Sequence, residues 1–173
     1  MVCSLRQSLE LANRNIYERY NQTAICGATL VVLLCYREYY AMFSAGDSRI
    51  YYQRGWKFKQ MTVDEVWENQ AVVRKNMKKK QIREHVNYGK LLNAVGIEET
   101  ASISIKTDML KRDDKFLLCS DGLYKMCPDS EIYRVMRQYT GDGKGQEILK
   151  KILQMVYKKG APDNVSVILV LCR

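Results

Sequence analysis

Lys115-Phe116-Leu117-Leu118-Cys119-Ser120-Asp121-Gly122-Leu123 is the stretch from which the rest of the sequence can be read. A short apolar run bounded by polar residues predicts a buried strand. The run ends abruptly in Ser-Asp-Gly. Gly122 tolerates backbone angles that other residues avoid, so the chain turns directly after Asp121. The carboxylate of Asp121 is then held at the rim of a hydrophobic sheet. Such rims suit metal ligands, because the backbone is rigid and the side chain still reaches water. An isolated Asp-Gly usually marks a turn and nothing more. The sequence around it decides between the two.

Upstream, Leu5, Leu9, Ala12, Ile16 and Tyr20 recur at spacings of three and four, which predicts an amphipathic helix over Ser4–Tyr20. Thr29–Tyr36 reads as a buried strand and Tyr39–Ala45 as its hairpin partner across Arg37-Glu38. Gly46-Asp47-Ser48-Arg49 interrupts, and Ile50–Gln53 resumes an extended run. Arg54-Gly55 predicts a turn before an alternating strand over Trp56–Met61. Thr62 is placed to cap a short helix carrying Asp64 and Glu65 in its first turn. The basic stretch Val72–Lys90, with Arg74, Lys75, Lys78, Lys79, Lys80 and Arg83, predicts a helix with a mobile beginning, extended through Leu91–Val95 and stopped by Gly96. Ala101–Ile105 alternates as a strand. Downstream, Pro128-Asp129 opens a helix to Tyr139, Gly141–Gly145 is a loop, and Gln146–Lys159 is a helix with Ile148, Ile152, Met155 and Val156 inward. Asp163-Asn164 leads into a last strand over Val165–Cys172.

Strands outnumber helices and tight turns join most of them. The class expected is therefore α+β, a single domain over 1–173 with largely antiparallel sheets. The 173 residues suffice for one such core. No run approaches the ~18 apolar residues of a membrane span, so no membrane role is expected. The six scattered cysteines, several inside apolar runs, read as reduced thiols of a cytoplasmic protein. A net charge of +9 favours acidic partners. Nucleic acid is not expected among them, since Arg74–Arg83 lacks interleaved aromatics.

Asp121 and Asp163 repeat one pattern. Each follows or precedes a hydrophobic strand at a turn, with Gly122 or Asn164 directly after it. Two carboxylates on neighbouring strand rims repel one another unless a hard cation such as Mg or Mn lies between them. Asp64, also just beyond a strand, is a third candidate ligand.

With these residues in view, the sequence resembles the metal-dependent protein phosphatases of type 2C, especially the small bacterial ones. The matching pieces are Gly27-Ala28-Thr29, Gly46-Asp47-Ser48-Arg49, Met61-Thr62-Val63-Asp64, Leu92-Asn93-Ala94-Val95-Gly96, Leu118–Leu123 and Asp163-Asn164-Val165-Ser166. They run in the family's order through nearly the whole chain. The resemblance implies an α-β-β-α sandwich of mainly antiparallel sheets flanked by helices. It implies hydrolysis of phosphorylated Ser/Thr proteins by water bridging two Mn or Mg ions. Asp121 and Asp163 would ligate the metal centre, and Asp64 with Asp121 a third, looser ion. Asp47 and Arg49 would form a structural ion pair, and the segment of about 72–90 the family's flap. No protein nucleophile is implied, since the cations acidify and align the water.

The family's first segment, an Asp-Gly-Met-Gly-Gly-like motif whose Asp bridges both metals, has no match here: no Asp precedes Asp47. Glu65 stands where the family commonly has His, and His85, the only histidine, is expected solvent-exposed on a helix. The fold is thus expected to be N-terminally incomplete, either a fragment of a working phosphatase, the favoured reading, or a short protein that kept the scaffold as a non-catalytic interaction or regulatory module. Either way this chain alone is expected to be poorly active. Absent strands would leave open sheet edges, so a homodimer or a strand-completing partner is also expected.

Overall fold

The structure, a computed structural model, describes residues 1–20, 24–138 and 145–172. Its elements in order are α1 (Val2–Tyr20), β1 (Leu30–Tyr36), β2 (Tyr39–Ala45), β3 (Arg49–Arg54), β4 (Lys57–Gln60), α2 (Ala71–Asn76), α3 (Lys79–Arg83), β5 (Ser104–Met109), β6 (Lys115–Cys119), α4 (Asp121–Tyr124), α5 (Asp129–Met136), α6 (Gly145–Lys158) and β7 (Val167–Leu171). A 3-10 turn at Trp67–Asn69 precedes α2. Contacts divide the chain into two compact units. The first holds Met1–Leu34, Tyr40–Asp47 and Val63–Asp108; the second holds Cys35–Tyr39, Ser48–Thr62 and the chain from Met109 onward.

In the first unit, β1, β2 and β5 form a three-stranded sheet in that order. β2 is the deepest strand: Tyr40, Ala41, Met42 and Phe43 are all buried. α1 is fastened by one polar side chain rather than by its apolar stripe alone. The buried Asn13 donates from Nδ2 to the carbonyls of Glu98 (3.0 Å) and Glu99 (2.9 Å), and its Oδ1 accepts the Gly96 N–H at 2.6 Å. A helical side chain thereby ties α1 to the loop backbone, at the buried N–H of Gly96 and at the carbonyls of the exposed residues Glu98 and Glu99. Gly96 has φ +96°, and a Cβ there would meet the Ile16 side chain at 2.3 Å, so no larger residue fits under α1.

In the second unit the sheet order is β4-β3-β6-β7, with every pairing antiparallel. β6, the stretch first read, is central and pairs with β3 (Tyr51↔Leu117) and β7 (Leu117↔Leu169). Tyr51, Leu117 and Cys119 share one face, and Ile132, Val135 and Met136 of α5 and Ile148, Ile152 and Val156 of α6 cover it. The four-residue spacing of Ile148, Ile152 and Val156 lines them along one stripe of α6, as its sequence period predicted.

Several expected elements differ. Thr62 does not cap a helix: its Oγ1 accepts the Ile50 N–H at 3.2 Å, and 62–66 is non-helical. The basic stretch is not one helix. Met77 (φ −124°, ψ 141°) and Lys78 (φ −73°, ψ 151°) are extended and separate α2 from α3. Like charges four residues apart, as in Arg74/Lys78, Lys75/Lys79 and Lys79/Arg83, oppose a continuous helix, and each piece is too short to hold itself. Leu91–Val95 does not prolong it either; Leu91 bridges Val66 and Val95 bridges Ala28. The strand expected at Ala101–Ile105 begins three residues later, at Ser104. His85 is on no helix: it stacks on Trp67 with ring centres 4.1 Å apart, and its Nδ1 accepts the Asn87 N–H. The ends of two expected segments, at Tyr139 and in the loop Gly141–Gly145, lie partly outside the described residues.

Candidate metal centre

β6 and β7 are neighbours, and the loops at one end of the pair carry Asp121 and Asp163. Cys119 pairs with Val167, so the residues just after β6 and just before β7 share a rim. There the backbones are stitched together. The Ser120 N–H donates to the Ser166 carbonyl (3.1 Å), the Ser166 N–H donates to Ser120 Oγ (3.0 Å), and Ser120 Oγ donates to the Asn164 carbonyl (3.4 Å). Gly122 presses so closely that a Cβ would sit 2.3 Å from the Asn164 carbonyl oxygen. Gly122 is helical and has no positive φ, so it is the missing side chain, not the turn expected of it, that lets the two segments touch; two residues 42 positions apart in sequence come to one sheet end.

Asp121 is the first residue of α4. Its Oδ2 accepts a hydrogen bond from Lys125 Nζ at 2.5 Å, one helical turn on, with both side chains partly exposed. Asp163 is exposed, and its Oδ1 accepts the Asn164 N–H at 2.7 Å, a local turn contact. Asp64 lies in the first unit, where its backbone carbonyl accepts Asn69 Nδ2 at 2.8 Å.

Two carboxylates on one rim supply hard oxygen donors of the kind Mn and Mg take. They fall short of a two-ion centre, however. Among the described residues no group of three or more His, Cys, Asp or Glu side chains is gathered to hold a metal ion. The carboxylates that are on the rim also have internal partners. The donor set present therefore does not fit the metal pair that the resemblance implies.

The remaining motif residues act as structure. Arg49, beside Cys119 across the β3–β6 ladder, donates to the Tyr51 hydroxyl at 2.8 Å, and that hydroxyl donates to Asp129 Oδ1 at 2.7 Å. Burial pushes the Tyr51 phenol well above its usual pKa; the Arg49 contact works the other way and Asp129 adds to the rise. The Arg49 guanidinium lies 3.5 Å over the Tyr124 ring, and so holds α4, the helix that begins with Asp121. Asp47 is buried in the first unit. There Gly46, at φ +97°, packs on Thr29, whose Cγ2 would lie 2.6 Å from a Cβ.

Besides Asn13, two structural residues escaped the sequence reading. Glu65, expected in the first turn of a short helix and noted for not being His, accepts the Gly46 N–H (2.8 Å) and Asn93 Nδ2 (2.7 Å) on one oxygen, tying two of the quoted motifs to the residue just after a third. Asp114, directly before β6, is buried. It takes two 2.6 Å hydrogen bonds from Arg54, one from the Tyr52 hydroxyl at 3.1 Å and one from the Lys111 N–H at 2.8 Å. Burial acts to raise its pKa, but the hydrogen bonds from Arg54, Lys111 and Tyr52 outweigh that and hold the carboxyl below its usual value. The one sequence signal was an Asp standing directly before an apolar strand.

Comparison with known proteins agrees with this fold. No family model matches the chain. The serine/threonine phosphatase stp of Listeria monocytogenes is 26% identical over 171 residues, covering 96% of this chain and 66% of that protein. The chain thus spans slightly less than two thirds of that relative's length. Among solved structures, the serine/threonine phosphatase of S. agalactiae superposes with a TM-score of 0.85 at 21% identity, over 100% of this chain and 73% of its own. The catalytic domain of the serine/threonine protein phosphatase PstP, solved with two manganese ions, gives 0.77 at 21% identity, over 99% and 71%.

Proposed function

Since the chain is similar in sequence and fold to bacterial serine/threonine phosphatases, we propose that it is the larger part of a serine/threonine phosphoprotein phosphatase of type 2C whose metal centre it supplies only in part. Asp121 and Asp163 are its contribution to that centre, and Asp64 is assigned to a looser ion. The single observation that carries the reading is the stitched rim of β6 and β7, which brings two distant Asp turns to one sheet end. The ions the centre calls for are Mn or Mg, and the substrates are proteins phosphorylated on Ser or Thr. Alone, this chain hydrolyses phosphoesters poorly, because two carboxylates cannot fix two ions. The test is manganese-dependent turnover of a phosphopeptide by the purified 173-residue chain. Turnover near the background rate is expected, and brisk turnover would overturn the reading.

The second sheet supports a further part of the proposal, a strand-completing neighbour. Ser166 and Cys172 bond toward β6 and its flanks. By alternation, the N–H and C=O groups of Val167, Leu169 and Leu171 point away from β6, at an edge with no strand beyond it among the described residues. A second copy or a partner strand pairs there. Sedimentation of a monomer at high concentration would exclude the second copy.

A further inference from the structure

The first unit contains a cavity of about 500 Å³, formed entirely by the segment from the 3-10 turn through α2 and α3 to Tyr88. Its lining joins three cations, Arg74, Lys79 and Arg83, to three apolar or aromatic side chains, Met77, Ile82 and Tyr88. The break between α2 and α3 makes this possible. One continuous helix would have spread these residues around its circumference, whereas extended backbone at Met77 and Lys78 folds the two basic segments about a shared hollow.

The charges there are uncompensated. Arg74 donates to the neutral side-chain oxygen of Asn69. Among the described residues no carboxylate pairs with Arg74, Lys79 or Arg83; the ion pair of this segment, Lys80 with Glu84, involves neither them nor the cavity wall. Glu68, the one acid in the lining, accepts the Gly89 N–H at 3.0 Å. Three like charges around one cavity repel, and an anion entering it relieves that repulsion. Met77 and Ile82 are half-buried, so a ligand touching them covers apolar surface already partly withdrawn from water.

We propose that this cavity binds an acidic peptide segment in which Glu or Asp residues flank a large apolar side chain. The carboxylates meet Lys79, Arg83 and Arg74, and the apolar residue enters between Met77, Ile82 and Tyr88. A nucleic acid suits the lining less well. Its bases would find only Tyr88 among the lining residues as an aromatic ring to stack on, and Met77 and Ile82 would be left without an apolar partner. The proposal rests on the phosphatase reading only in naming the phosphorylated substrate protein as the source of that segment. The binding needs no metal and no turnover.

The experiment measures anisotropy of fluorescently labelled 12-residue peptides against the purified chain at about 0.1 M salt, where charges beyond ~10 Å are screened. One peptide carries Glu around a central Leu, a second replaces every Glu by Gln, and a third replaces Leu by Ala. The Glu/Leu peptide is expected to bind at least tenfold more tightly than the Gln peptide and severalfold more tightly than the Ala peptide. The double variant Lys79→Gln/Arg83→Gln is expected to weaken it at least tenfold. Both side chains are exposed and unbonded, so the fold is retained, with circular dichroism as the check. Lys150→Gln, on an exposed face of α6, is expected to leave binding unchanged. Equal binding of the Glu and Gln peptides, full binding by the double variant, or equal loss in Lys150→Gln would overturn the proposal. So would an oligouridine 12-mer that binds more tightly than the Glu/Leu peptide and is released by the double variant, which would make this a nucleic-acid surface. Failure of the phosphatase reading would appear instead in turnover and metal binding, with peptide affinity untouched.

Discussion

Gly122 and the Asn164 carbonyl are in contact across the β6–β7 rim, and a single added carbon at residue 122 would lie 2.3 Å from that oxygen. The obstacle is backbone, which cannot swing aside as a flexible side chain would. Gly122→Ala is therefore expected to destabilise the chain by about 2 kcal/mol, the range of overpacked cores. It should also separate the turns that carry Asp121 and Asp163. Urea unfolding monitored by Trp fluorescence measures the first effect. An unchanged midpoint would show that the rim yields without cost.

Arg49 holds α4 through the Tyr124 ring while donating to Tyr51. A lysine keeps the charge but has neither the planar face nor the fork of donors. Arg49→Lys is expected to cost about 1 kcal/mol. Loss of the same magnitude in Tyr124→Leu, with the double variant no worse than either single one, would identify the stacked pair as the cause. Additive losses would show two independent effects.

These contacts indicate which parts of the molecule could be read from sequence. The Lys115–Cys119 strand, the Tyr39–Ala45 hairpin partner and the Ile148/Ile152/Val156 stripe were legible because each is a periodic or turn signal contained within a few residues. The neighbouring positions of Asp121 and Asp163 followed from motif order. Asn13, Glu65 and Asp114 were not legible. Apart from Lys111 beside Asp114, their partners lie about 20 to 90 residues away, as with Asn13 and Glu99 or Asp114 and Arg54, and no local pattern marks a polar side chain that will be buried. The basic stretch misled for the opposite reason. Its composition favours helix residue by residue, while the repulsion that breaks it appears only once helical spacing sets the charges side by side.

Lys125 occupies Asp121 Oδ2 at 2.5 Å, so a cation at Asp121 competes with an ammonium group. Both groups are partly exposed, and exposed pairs of this kind contribute about 0.5 kcal/mol. Lys125→Ala is expected to raise manganese affinity about twofold in calorimetric titration, and Asp121→Asn to abolish the heat that remains. Equal heats in the parent chain and Asp121→Asn would place any bound manganese elsewhere.

Asp114 links stability to pH. Its folded pKa lies below the ordinary carboxylate value because Arg54, the Lys111 N–H and the Tyr52 hydroxyl bond to its charged form. The stabilisation is complete above the unfolded pKa of about 4 and is lost as pH falls through the lower folded value. Asp114→Asn is expected to be less stable than the parent at pH 7 by about 2 kcal/mol, since Arg54 then lacks its counter-charge but is one third exposed and recovers some hydration. The gap should narrow below about pH 4 as the parent's own carboxyl protonates. A gap constant from pH 7 to pH 2 would assign the loss to packing rather than to charge.

Asn13 offers the sharpest test of how the first unit is held. Three hydrogen bonds from one buried side chain join α1 to Gly96, Glu98 and Glu99. Truncation to Ala removes all three at once, leaves an N–H and two carbonyls without partners, and opens a small void. The buried Gly96 N–H loses its partner outright and the void adds to that loss, so Asn13→Ala is expected to lose about 2 kcal/mol. Asn13→Leu fills the volume but supplies no polar atom. If packing were the main contribution, Leu would restore most of the loss; if the clasp is, Leu remains about as unstable as Ala. The second outcome is expected, because the side chain is almost wholly buried and the Gly96 N–H that it accepts is buried with it. Amide exchange at Gly96 reports the same event locally. Its N–H, bonded to Asn13 at 2.6 Å, should lose protection in both variants before the rest of the unit does.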